Sequence, residues 1–150
     1  MLRYALILIA LAMPFSTTHA QSKLGKFTDH TVLPDDAYGK VIKSLIEVTN
    51  SGSKEEVKKF LLANTTKDFL EALPIEEHIV RITGFGAAHG GCDFYALRES
   101  AATASDKDLR QLIIKGRASG DWYEVMLVFE GTQAPKITNM AAKEIPPAVK

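Results

Sequence analysis

From Pro34 to Ile82 the apolar residues return every three or four positions, and after Cys92 they alternate. Tyr38, Val41, Ile42 and Leu45 occupy i, i+3, i+4 and i+7, which gathers them into one stripe on a helix. Pro34-Asp35-Asp36 sets that helix up, and Asn50-Ser51-Gly52 stops it, Gly and Asn being the residues that tolerate a left-handed terminus. Ser53-Lys54-Glu55-Glu56 has the capping-box pattern and predicts a second helix that buries Val57, Phe60 and Leu61. Thr65 or Thr66 is expected to cap a short third helix through Phe69, Leu70 and Leu73. Pro74 suits the first turn of a fourth, whose stripe is Ile75, Ile79 and Ile82. His78 falls on the apolar face of this helix, as a packed and hydrogen-bonded histidine would. Glu77 and Arg81 are spaced to pair on its wet side.

The stretch "GFGAAHGG", Gly84–Gly91, reads as a loop whose glycines supply turns with positive φ between the helical half and the rest. Strands follow. Cys92, Phe94 and Ala96 alternate with Asp93, Tyr95 and Leu97, and Leu109–Ala118 sets Leu112 and Ile114 against Ile113. Ser119-Gly120 is a hairpin turn, and Trp122–Phe129 divides Tyr123, Val125, Leu127 and Phe129 from Trp122, Glu124, Met126 and Val128. Ile137–Ile145 is the last strand. Pro135 cannot donate to a ladder and fits its start, while Pro146-Pro147 ends it, so it reads as an edge. Helices first and consecutive strands afterwards predict an α+β fold, N-terminal helices packed on an antiparallel sheet of about four strands.

Met1–Ala20 stands apart from this pattern. Arg3, the apolar run Tyr4–Met13, Pro14 and the small-ended Thr18-His19-Ala20 make a secretory signal, too short in its apolar part to span a bilayer. The expected order is signal peptide 1–20, flexible lead-in 21–33 and one α+β domain over 34–150. The mature chain is then secreted or periplasmic, with no stable membrane insertion. Without Arg3 the basic residues fall from 18 to 17 against 18 acidic ones, a net charge of −1, which provides no field for nucleic acid. With Cys92 as the single cysteine no intramolecular disulfide is possible, and the thiol is expected to be buried.

Several short constellations imitate reactive motifs. Ser51-Gly-Ser-Lys54 matches S-x-x-K, but Gly52 lies between serine and lysine at a helix boundary, and the companion S-D-N and K-T-G motifs are missing. Gly84-Phe-Gly-Ala-Ala-His89 lacks the third glycine of a dinucleotide fingerprint and does not follow a strand. His89 and Cys92 could offer imidazole and thiolate, but two ligands do not make a metal site, and His30 and His78 lie far off in sequence. Asn64-Thr65-Thr66 is a glycosylation sequon that a helix cap explains equally well. No metal, cofactor or catalytic set is therefore expected.

The segments "HGGCDFYALRES" and "LRQLIIKGRASGDWYEVMLVFEGTQAPKITNMAAKEIPP" resemble a small domain found beside bacterial serine hydrolases of the β-lactamase-related group and some tail-specific serine peptidases. The likeness rests on Gly90-Gly91 entering a strand, Glu99, Leu112–Ile114, Trp122 and Pro135-Lys136-Ile137, with "KKFLLANTTKDFL" similar to the helical part. It implies a cone-like domain of the nuclear transport factor and ketosteroid isomerase type, with helices against a curved sheet. It carries no catalytic residue, because the hydrolase's serine and lysine belong to the adjoining domain. An exported, non-catalytic accessory domain is thus expected, binding a small ligand, peptide or protein partner (a serine hydrolase among them) in the concavity. Tyr95, Asp93 and Trp122 are the candidate ligand-binding residues. The alternatives are a small enzyme using the cone for acid–base chemistry, with Asp93 or Tyr95 as its first candidates, and a stand-alone hydrolase subunit.

Overall fold

The structure is a computed structural model that describes residues 27–100 and 107–147. The expected signal peptide, and residues 21–26 of the lead-in, lie outside the described residues. In chain order the elements are β1 (Phe27–His30), α1 (Ala37–Ser51), α2 (Lys54–Asn64), α3 (Lys67–Glu71), α4 (Ile75–His89), β2 (Cys92–Ser100), β3 (Lys107–Gly116), β4 (Trp122–Glu130) and β5 (Lys136–Ile145). The strands form one sheet in the order β1-β2-β3-β4-β5, every neighbouring pair antiparallel. The α+β class with an antiparallel sheet is as the pattern predicts. Among the described residues the sheet has five strands, however, because part of the lead-in pairs as β1 along β2. A cross-strand ion pair accompanies that ladder: Arg98 donates to both carboxylate oxygens of Asp29, at 2.6 and 2.9 Å.

Local capping sets the helix starts. Asp36 accepts from the Gly39 amide at 2.7 Å, Ser53 from Glu56 at 3.3 Å and Thr66 from Phe69 at 3.3 Å, each relieving an amide the first turn leaves unpaired. Only one arm of the expected capping box forms, since the Ser53 amide donates instead to the Ser51 hydroxyl at 3.2 Å. Gly52, at φ 65°, closes α1 in the left-handed conformation.

The glycine-rich stretch departs most from expectation. Gly84 through His89 continue α4, and only Gly90 and Gly91, with φ of 65° and 84°, make the turn into β2. Gly86 is in the helix for proximity, not for flexibility. A side chain there would collide with the Thr49 carbonyl of α1, so glycine lets the two helices touch. That close approach offsets the roughly 1 kcal/mol that glycine costs in a helix interior.

Cross-strand partners share a face of the sheet. One row runs Leu97, Leu112, Val125, Ala142 and the next Glu99, Arg110, Leu127, Met140. These rows face the helices, where Ile42, Leu45, Val57, Phe60, Leu61 and Ile79 complete the buried core. Two register shifts, at Phe94/Ala96 and at Val128/Phe129, interrupt the ladders. Asn50, near the end of α1, bonds β2 by both arms of its amide, accepting from Cys92 N at 2.7 Å and donating to Cys92 O at 2.9 Å. No helix among the described residues is long and apolar enough to cross a membrane.

Candidate functional site

Helices and sheet do not meet everywhere. Between α1, α3, α4 and the β3–β5 side of the sheet lies a cavity of about 730 Å³, within the range of small-molecule sites. Leu45 and Ile46 wall it from α1, Phe69 from α3, Ile82 and Phe85 from α4, and Leu112, Ile114, Val125 and Met140 form its floor. Five consecutive residues of β5, Thr138 to Ala142, also line it. Of these, Asn139, Ala141 and Ala142 are exposed, so the cavity is open to solvent on the β5 side.

Few polar groups enter this space, and their bonds limit what they can do. The Thr49 hydroxyl donates to Leu45 O at 2.7 Å and the Thr138 hydroxyl to Val128 O at 3.2 Å. Cys92 is buried, and burial raises its thiol above the ordinary value of 9.0, which disfavours the reactive thiolate. His78 is buried and stacks on Phe69, ring centroids 4.6 Å apart. It is packed as its helical position predicts, but its Nε2 has no hydrogen-bond partner. Asp68 and Arg81 stand exposed at the border. Nothing here joins a nucleophile to a base.

The other end of the same sheet face is filled and charged. Arg110, 6% exposed, donates to Glu99 and, at 3.2 Å, to Asp108, while its guanidinium carbon lies 3.9 Å from the centre of the Tyr38 ring. Tyr38 donates its hydroxyl to Gly131 O at 3.1 Å and meets Phe129 edge-on. Burial pushes the Asp108 carboxyl and the Tyr38 phenol above their ordinary values and pulls the Arg110 guanidinium below its own. Glu99 also lies 3.4 Å from His30. Arg110 Nε has no hydrogen-bond partner, but its two terminal nitrogens are paired, and the arrangement is a clamp between α1 and the sheet.

Asp93, Tyr95 and Trp122 do not line the cavity. Asp93 and Trp122 share a cross-strand row with Lys115, on the face away from the helices. Asp93 is exposed and accepts from Arg117 at 2.7 Å, and Tyr95 stands edge-on to Trp122 at 4.5 Å. Tyr123, one residue on, turns to the helices and meets Phe85 and His89. Ser51 and Lys54 fall in different helices, and the Ser51 hydroxyl donates to Val48 O at 3.0 Å. His89 bonds Ser119 at 3.0 Å, and no three metal-binding side chains converge among the described residues. Ile46, Ile82, Phe85 and Met140 are lining residues that sequence reading missed as a site: Ile82 signals only a helix stripe, and Phe85 lies in the stretch that reads as a loop. Compared with protein-family models, curated proteins and solved structures, the chain matches none of them.

Proposed function

We propose that this protein is an exported, non-catalytic accessory domain that binds an apolar group of a ligand or partner in the space between its helices and sheet. The supporting observation is the cavity itself: about 730 Å³, walled by aliphatic and aromatic side chains, with hydroxyls tied to backbone carbonyls and a thiol whose ionisation burial disfavours. We read the helices over the sheet as the cone-like concavity of accessory domains that stand beside serine hydrolases. On this reading the protein works outside the cytoplasm, and a serine hydrolase is the partner to seek by co-purification.

The test uses protein purified from cells expressing the full chain and an environment-sensitive apolar dye, anilinonaphthalene sulfonate. Dye fluorescence should rise saturably. Ile82→Trp, which fills the cavity, should weaken binding at least roughly tenfold, whereas Met126→Trp on the opposite face should not. Equal binding by all three proteins would refute the proposal.

A further inference from the structure

The cavity has a polar corner whose hydrogen bonding is incomplete. Asp68, Phe69, Ala72, Leu73, His78 and Arg81 all border it where α3 hands over to α4. His78 is 7% exposed, lies against Phe69, and has no hydrogen-bond partner at its buried Nε2. Buried polar atoms are nearly always paired, because one left unpaired has given up water for nothing. The stack on Phe69 fixes the plane of the imidazole but not its rim. A half-turn about Cβ–Cγ keeps the ring in place and exchanges nitrogen for carbon along its edge. Arg81, three residues on and so on the same side of α4, is held by Glu77 at 3.7 Å, an exposed pair that a better partner can break. From His78 the helix runs about 10 Å, at roughly 1.5 Å per residue, to Phe85. Phe85 meets Tyr123, the ladder partner of Ile114, and the lining there is apolar.

We propose that the cavity takes a monocarboxylic acid with an apolar body, its carboxylate accepting from a ring nitrogen of His78 and from Arg81, its body lying along α4 toward Phe85 and Ile114. This rests on the binding reading above and names its ligand class. An imidazole N–H and a guanidinium are both donors, so the group they share is an acceptor, and Arg81 favours one with negative charge. An alcohol would satisfy His78 but leave Arg81 with Glu77. An alkylamine would meet Arg81 as a like charge. Asp68, the acidic residue at this corner, stands exposed, where water and salt screen it. Elsewhere in the lining the Thr49 and Thr138 hydroxyls already bond backbone carbonyls, which leaves apolar walls for the rest of the molecule.

The test is calorimetric titration of the purified full chain with decanoate, decanol and decylamine, each below its micelle concentration. Decanoate should bind at least roughly tenfold tighter than decanol, and decylamine most weakly. His78→Phe keeps a ring on Phe69 without the nitrogens, and should bring the acid down to the level of the alcohol. Arg81→Gln, at an exposed position that leaves the core packing untouched, should narrow the acid's advantage at least roughly threefold. No binding of the acid, equal affinity for acid and alcohol, a preference for the amine, or an acid preference that survives both substitutions would overturn the inference. Dye binding weakened by Ile82→Trp would then leave the cavity reading standing, whereas loss of dye binding as well would remove both.

Discussion

At one end of the sheet's inner face, Tyr38 and the start of α1 close over Arg110, whose guanidinium is met by Glu99 and Asp108. At the other, Leu112, Ile114 and Val125 look into open space under α4. The two ends belong to the same strands and differ by a few residues in register. The filled end shows that this fold can close its helices onto the sheet, even at the cost of burying a charge. The hollow end is then a specific omission, and α3, only five residues long, leaves it uncovered. Charge and an aromatic ring close one end, and the apolar end is left open.

Breaking the filled end should have the largest effect. Arg110→Ala removes the cation that Glu99 and Asp108 share, leaving Glu99 only His30 beside it, and should cost about 3–5 kcal/mol, read as a shift of the urea midpoint. A loss below about 1 kcal/mol would reduce the clamp to an ordinary surface pair. The same kind of truncation at the hollow end should be milder. Ile46→Ala deletes a half-buried side chain that already borders empty space, so urea denaturation should find a loss below the roughly 2 kcal/mol floor for fully packed isoleucines.

The smallest effect sharpens the contrast through pH. Burial raises the Asp108 carboxyl above its ordinary 3.8, so between the unfolded value and the raised one the folded chain holds a proton that the unfolded chain releases. Stability is greatest below 3.8 as far as this group is concerned, and falls as pH rises through that window. Asp108→Asn keeps an acceptor for Arg110 and cannot titrate. Its urea midpoint, followed from acid to neutrality, should therefore decline less than that of the parent. Parallel profiles would show that Asp108 is not strained by its surroundings.

What the sequence made legible follows from range. Caps and helix faces depend on neighbours within a turn, so Asp36, Ser53 and Thr66 announce their roles, and Leu112 and Ile114 declare a buried face by alternation. Gly86 misled because its reason is tertiary: a glycine needed for contact with Thr49 looks, in sequence, like a glycine needed for a bend. β1 carries too few apolar residues to show a period, and its ladder partner β2 lies about 70 residues away in sequence. The site was the least legible part. Alternation separates Trp122 from Tyr123 but does not say which face the helices will cover, and a cavity consists of side chains that are not there.

Asn50 has a consequence of its own for how long the molecule stays intact. Its carboxamide supplies one donor and one acceptor, and both arms go to the same residue, Cys92, at the point where the helical half is stitched to the sheet. Were that amide hydrolysed, the resulting aspartate would keep the acceptor, lose the donor, and turn an oxygen toward the Cys92 carbonyl. One water molecule's chemistry, at one nitrogen, would unpick the seam, and an aged preparation would show it first as easier access to the thiol beneath.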